Sequence, residues 1–473
     1  MSLSELLKTA FNEQFEHEKT QEQHELMNRL IEFYIFQGDN PLFIINGYAG
    51  TGKTTLLSAF VNALDKLKRK TVLLAPTGRA AKVFSQRSNK LALTIHKKIY
   101  RRQSKANGEV VLNVSPNLHT NTLFIIDEAS MIADYSKQSD GSINTRNFLE
   151  DVISYVFSGK NCKLIFVGDK AQLPPVGSEF SPALSKTYIQ NHYPQIAVFS
   201  YQMKEVLRQA SDSDILLNAT LLRSAPDNSY PSFKITGNKG LIKLNGEDLE
   251  DELDSAFSNF GKEDTLMITR SNKRANLFNK QIRSRIFWYE ERINGGDYLM
   301  VVKNNYFWIN QEDKTGFIAN GEIIKIERLY NFETIYDCDF VDARIKLVNY
   351  PNTDSIEVKL LLDVLDVEQA SLPREQMKKL FFTVEQEYMW EKNKKKRYER
   401  IMADPYFNAL QVKFSYAITC HKSQGGQWPC VFIDQGFLTE DMLDRSYFRW
   451  LYTAFTRATE KLYLVNFNEQ FFD

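Results

Sequence analysis

Cysteine is scarce in this chain and does not cluster. The four cysteines, Cys162, Cys338, Cys420 and Cys430, show no C-x-x-C spacing. That excludes a disulfide framework or a zinc knuckle and reads as reduced intracellular thiols. Charge of one sign is lacking too, since 59 Lys and Arg balance 59 Asp and Glu. No global field draws the chain to nucleic acid, so such a partner would have to be held by local patches, as in a cleft. No apolar run is long enough to span a bilayer, and no membrane partner is expected. The opening Met-Ser-Leu-Ser-Glu-Leu-Leu-Lys has no cationic stretch leading into an apolar one. No signal peptide is therefore expected, and the location reads as cytoplasmic. No nuclease-like carboxylate cluster is visible.

What is present begins at Gly47-Tyr48-Ala49-Gly50-Thr51-Gly52-Lys53-Thr54. This is G-x-x-x-x-G-K-T, a phosphate-binding loop. The run Leu42–Ile45 before it suits a buried parallel strand, and Thr54–Leu64 after it has helical apolar spacing. The glycines let successive N–H groups and the helix N-terminus face phosphate oxygens. Gly47, Gly50, Thr51, Gly52, Lys53, Thr54 and Thr55 are expected to line the nucleotide. Lys53 would neutralise the β/γ-phosphates of ATP and Thr54 would ligate Mg²⁺.

Strand-like runs recur at 42–46, 71–75, 122–127 and 163–167, each followed by a loop and a helical pattern. Alternation of this kind predicts a parallel sheet covered by helices, with ligands beyond the carboxyl ends of its strands. Pro76-Thr77-Gly78-Arg79-Ala80-Ala81 follows the second run, and Asp127-Glu128-Ala129-Ser130 follows the third. Two acids ending a strand after a phosphate loop predict that Asp127 holds the Mg²⁺ sphere and Glu128 orients the attacking water. After the fourth run comes Gly168-Asp169-Lys170-Ala171-Gln172-Leu173-Pro174-Pro175-Val176. The prolines stiffen that loop, so Gln172 can report the state of the γ-phosphate to whatever the loop touches.

With these motifs in order, the chain resembles superfamily 1 helicases, and among them the 5′-to-3′ branch of RecD-like and phage Dda-like enzymes. Gly168–Val176 is the most specific match. Val206-Leu207-Arg208-Gln209 resembles the fourth motif, Tyr416–Gly425 the fifth and Leu451–Ala458 the sixth. The resemblance implies that Arg208 and Arg457 reach across a cleft to the transferring phosphoryl group. It implies that Gln23, in Thr20-Gln21-Glu22-Gln23, reads the adenine edge, although the same stretch suits a helix-capping turn. Where relatives carry an acid against the nucleotide sugar, this chain has Gln427, an amide that can still bond a hydroxyl. The family positions facing single-stranded DNA are matched by Thr77, Arg79, Thr94, His96, Thr419, His421 and Lys422.

The resemblance further implies an α/β fold of two RecA-like P-loop domains. The expected division is 1–200 for the first domain, 201–295 plus 405–473 for the second, and 296–404 for an insertion. Residues 97–121 are polar and basic, with Asn107-Gly108 as a turn signal, and read either as a hairpin insertion or as a basic surface loop. Short runs over 296–365, broken by Gly, Asn and Asp, suggest a small antiparallel barrel, which the family has as an SH3-like insertion. The basic stretch Lys392–Arg400 reads as a DNA patch or, more ordinarily, as a solvated helix face. The function implied is an ATP-dependent DNA helicase, a monomer acting 5′-to-3′ on single strands and their junctions with duplex. The alternatives are a DNA-stimulated translocase that needs a complex to unwind, and a slow nucleotide-dependent binding switch.

Overall fold

The computed structural model describes residues 2–472 except 16–17, 105–109, 135–146, 207–212, 228, 237–239, 310–316, 349 and 351–352. The first lobe is built on strands β1 (Pro41–Gly47), β2 (Lys70–Ala75), β3 (Ala92–Thr94), β6 (Thr122–Ile126), β7 (Lys163–Gly168) and β8 (Ala197–Met203), with β4 (Tyr100–Ser104) and β5 (Val110–Val114) forming a separate antiparallel hairpin. The Asn107-Gly108 turn signal lies outside the described residues. The six-stranded sheet runs β3-β2-β6-β7-β1-β8, and all its pairings are parallel. Side chains of β1 alternate between two apolar layers. Leu42 and Ile44 join one layer, Phe43 and Ile45 the other, so this interior strand is buried on both faces.

The register fixes where chemistry can sit. Asn46 pairs with Gly168, and Leu74 with Ile126. The ends of β1, β6 and β7 therefore rise to one edge, bringing the phosphate loop, Asp127 and Asp169 together.

The second lobe has a parallel five-stranded sheet from β9 (Leu241–Leu244), β10 (Thr265–Thr269), β16 (Ala417–Thr419), β17 (Trp428–Asp434) and β18 (Ala458–Val465), in the order β16-β10-β17-β18-β9. Between β10 and β16 the chain forms a closed barrel of β11 (Tyr298–Val301), β12 (Ile323–Ile335), β13 (Cys338–Leu347), β14 (Ile356–Leu361) and β15 (Leu410–Phe414). Met267, Phe432 and Tyr463 of the sheet share one apolar cluster with Leu299, Ile324, Val341 and Val412 of the barrel. Barrel and second sheet are thus one continuous core.

A helical segment, Arg374–Glu387 and Lys394–Met402, covers the barrel through Leu380, Val384 and Ile401. Lys392, Lys394, Lys395 and Lys396 are exposed, Arg397 bonds Glu385 at 3.0 Å, and Arg400 lies 4.5 Å over the Trp390 ring. The cysteines are free, and Cys162, Cys420 and Cys430 are buried. Among the described residues no helix is long and apolar enough to cross a membrane, and no His/Cys/Asp/Glu cluster could hold a metal.

Candidate nucleotide and nucleic-acid site

The helix Lys53–Lys66 starts at Gly52, whose φ of 78° is left-handed and which provides no side-chain cap. Gly50 has the same φ, as the tight turn requires. The first-turn N–H groups are therefore open toward the loop. Lys53 Nζ donates to the carbonyls of Gly47 at 2.6 Å and Tyr48 at 2.8 Å, which holds the cation over the loop. Thr51 is buried and its hydroxyl donates to the Tyr48 carbonyl, while Thr54 is half-buried and Thr55 exposed.

Gln23 braces this loop. Its Oε1 accepts from the Thr20 N–H in a reciprocal capping box, and its Nε2 donates to the Thr51 carbonyl at 3.2 Å. Both ends of the buried amide are thus engaged with protein.

Asp127 follows β6, and burial with the neighbouring Glu128 charge pushes its carboxyl up to about 6, against the pull of Lys53 and Arg87. Glu128 has φ 53°. A left-handed non-glycine costs of order 1–3 kcal/mol and is typical of a residue held for a task. Asn46 Oδ1, Ser130 Oγ and Gln172 Oε1, at the ends of β1, β6 and β7, are buried without a hydrogen-bond partner. An uncapped helix start, a lysine, a carboxylate and orphaned polar oxygens make a donor set that fits a phosphate chain with its cation.

The second lobe closes over this edge. Tyr48 and Ala49 of the phosphate loop and Ala171 and Leu173 of the Gln172 loop pack into the second lobe's own apolar cluster. Tyr452, on the helix Arg445–Phe455, accepts from the Ala49 N–H at 2.9 Å and donates to Asp169 Oδ2 at 2.5 Å. Burial holds the Tyr452 phenol well above its ordinary pKa, so it stays protonated. Thr453 Oγ1 accepts from the Leu173 N–H at 2.8 Å, and Gln424 Nε2 donates to the Leu173 carbonyl at 2.7 Å. Arg223 lies 3.8 Å over the Tyr48 ring. Reading motifs for charge missed Tyr452, Thr453, Gln424 and Arg223. The first three nevertheless lie inside the stretches that matched the fifth and sixth motifs.

Arg457 is 3% exposed and bonds the Thr453 carbonyl, the Gly426 carbonyl and the Thr456 hydroxyl. Its guanidinium thus stitches the fifth-motif loop to the end of the sixth-motif helix. Arg208 lies outside the described residues. Gln427 is exposed, and its Oε1 accepts from Arg87 at 2.8 Å. Arg79 donates to the Gln427 carbonyl at 2.9 Å and packs 3.8 Å over the Trp428 ring. Gly425, with φ 73°, lies where a Cβ would come 2.7 Å from the Ala80 Cβ. Only glycine allows the loop this close to the helix Gly78–Ser88.

Thr94 and Thr419 each end a strand, and Thr77 lies two residues beyond the end of β2. The hydroxyls of Thr77 and Thr94 cap the helices that follow, whereas Thr419 makes no such cap. His96 stacks on Phe148 at 4.6 Å, and His421 is exposed. Lys422 lines a small cleft with Thr419, Asn272, Asn276 and Lys413. Lys413, on the barrel strand β15, is pushed down to about 8 by burial and by the charge of Lys422. The Lys413 amine and the Asn276 amide both donate to the Val367 carbonyl, which leaves Lys422 and Thr419 among the groups of this cleft open to a backbone phosphate.

Comparison with known proteins agrees with this construction. Residues 19–244 match the AAA domain family and residues 414–465 the UvrD-like helicase C-terminal domain. Uncharacterized protein R530 of Acanthamoeba polyphaga mimivirus is 25% identical over 92% of this chain and 97% of its own length. The ATP-dependent DNA helicase dda of Enterobacteria phage T4 is 28% identical over 63% of this chain and 64% of that protein. A crystal structure of Pif1 helicase from Bacteroides with ADP-AlF3 and ssDNA covers 97% of this chain and 95% of its own at 15% identity, with a TM-score of 0.48. One family match on each lobe, relatives such as dda and RecD, and the ordered motif set make the chain similar along both lobes to superfamily 1B, the RecD/Dda-like DNA helicases.

Proposed function

We propose that the protein couples ATP hydrolysis to 5′-to-3′ movement along single-stranded DNA and to separation of duplex ahead of it. The observation that carries this reading is the seating of the phosphate loop and the Gln172 loop in the core of the second lobe. A site divided between two lobes turns occupation of the loop into a change in how the lobes meet.

In this reading Lys53, the loop amides and Thr54 hold the phosphates, and Asp127 with Thr54 would hold Mg²⁺. The cation supplies charge neutralisation between the phosphates. Glu128 orients water, and Gln172 couples the site to the second lobe. Arg208 supplies positive charge from across the cleft, and Arg457 adds to it once the contacts that now engage it rearrange. Gln427 contacts the sugar, and Gln23 fixes the loop beside the base. Thr77, Thr94, His96, Thr419, His421 and Lys422 face the single strand, with Arg79 beside them at the seam. The chain acts as a monomer at junctions of single and double strands.

Unwinding of a duplex with a 5′ tail, against the same duplex with a 3′ tail, tests the reading. ATP-dependent separation of the 5′-tailed substrate alone is expected. Separation only from a 3′ tail would reverse the polarity. DNA-stimulated hydrolysis without separation of either duplex would favour a translocase that works within a complex.

A further inference from the structure

One side chain of the second lobe touches both working loops of the first. The Tyr452 hydroxyl accepts from the Ala49 N–H at 2.9 Å and donates to Asp169 at 2.5 Å, which uses its single proton and one lone pair. Ala49 lies between Gly47 and Gly52, within the phosphate loop. Asp169 starts the loop that carries Gln172, and its other oxygen accepts from the Ala171 N–H at 2.8 Å. Two residues on, Leu173 is gripped at its N–H by Thr453 and at its carbonyl by Gln424. Tyr452 and Asp169 are 2% and 1% exposed, so water cannot replace a bond that either one loses.

We infer that Tyr452 is the positioning residue that relays occupation of the phosphate loop to the Asp169–Pro175 loop. This rests on the nucleotide-driven function proposed above. A terminal phosphate bound in the loop competes with the phenol for the Ala49 N–H. The phenol keeps Asp169 as its acceptor, and its displacement from Ala49 moves Asp169 and, behind it, Ala171, Gln172 and Leu173. Because Thr453 is the next residue on the same helix, the second lobe receives that movement at two adjoining points.

The test uses Tyr452→Phe and Asp169→Asn in the full chain. It measures ATP hydrolysis with and without a saturating oligo-dT, together with the KM for ATP, oligo-dT affinity and melting temperature. The relay predicts that the stimulation ratio falls about tenfold in each variant, with the KM for ATP and the oligo-dT affinity within threefold of the unsubstituted chain. The double variant is expected to be no worse than the poorer single one, because both break one chain of contacts. A ratio within twofold of normal in either variant, even with a lowered melting temperature, would show a merely structural hydroxyl and overturn the relay. Multiplying losses in the double variant would overturn it as well. If Tyr452→Phe fails to fold, Asp169→Asn alone decides. Absence of DNA-stimulated hydrolysis in the unsubstituted chain would instead overturn the proposed function.

Discussion

The two lobes meet along two seams of opposite character. On the nucleotide side the contacts are short, buried and made by hydroxyls, amides and backbone: Tyr452 with Ala49 and Asp169, Thr453 and Gln424 with Leu173. On the outer side they are made by long cations at partly exposed positions. Arg79 meets Trp428 and the Gln427 carbonyl, and Arg87 meets the Gln427 amide. Lys82 reaches Glu263 and the Val348 carbonyl, and Lys97 lies 5.5 Å from the Tyr350 ring centroid near Glu322. Buried hydrogen bonds are costly to leave unmade and have few alternative partners, so they act as discrete positions. Long cations adjust by rotamer and water and follow a moving surface at little cost. The inner seam is built to switch and the outer seam to yield.

The largest expected effect breaks the inner seam's chemistry alone. Lys53→Ala removes the cation and its bonds to the Gly47 and Tyr48 carbonyls, and ATP hydrolysis should fall at least about a thousandfold. Oligo-dT affinity should stay within about threefold, because the outer seam and the DNA face do not depend on Lys53. Hydrolysis near the normal rate in that variant would remove the phosphate loop from the mechanism.

The second prediction concerns Glu322, which is 3% exposed and whose carboxyl burial pushes up to about 8, against the pull of Lys97. The unfolded chain releases this proton near the ordinary value of 4.5, while the folded chain keeps it to about 8. Between those values the native state binds more protons, so stability from this group falls as pH rises. Glu322→Gln cannot ionise in either state. Its stability relative to the unsubstituted chain should therefore grow from about 1 kcal/mol at pH 5 to about 4 kcal/mol at pH 8, read by urea unfolding. A difference that does not vary with pH would mean that Glu322 is ionised in the fold.

The smallest effect is expected at Arg79. Arg79→Ala loses a cation–π contact and one hydrogen bond at a partly exposed site, about 0.5–1 kcal/mol in stability. The salt dependence of oligo-dT binding should stay unchanged. An arginine that pairs with a DNA phosphate would instead lower that slope by about 0.7.

How far the sequence could be read depended on range. The phosphate loop, the β1 strand before it and the helix after it are local, so spacing alone reveals them. The barrel was legible in part: short runs over 296–365 divided by Gly, Asn and Asp suggested its first strands, whereas β15, Leu410–Phe414, which closes it by pairing in parallel with β14, lies beyond both those runs and the expected 296–404 insertion. Tyr452 was not legible as a partner of Ala49, since 403 residues separate them and no local pattern records such a contact. Gln23 showed the same limit in smaller form: its capping box is local, while its bond to Thr51 lies 28 residues away. Arg79 had the residue type of a DNA contact, and only the folded chain brings Trp428 beneath it. Motif order therefore picks out the residue types at each strand end, whereas the wiring between strand ends comes from packing.

The shared core of barrel and second sheet has a mechanical consequence. Because Leu299, Ile324 and Val341 belong to the same cluster as Met267 and Phe432, the barrel cannot slide on the second lobe without opening that core. The strands β12 and β13 are walls of this block, their far end packed against the covering helical segment at Ile335, Tyr336 and Phe340, and β12 alone runs 13 residues. At about 3.3 Å per residue such a strand is roughly 40 Å long, so a swing of about 10° at its root carries its tip some 7 Å. The whole block of sheet and barrel is the lever arm, and a small pivot at the nucleotide edge reaches the far end of the barrel enlarged.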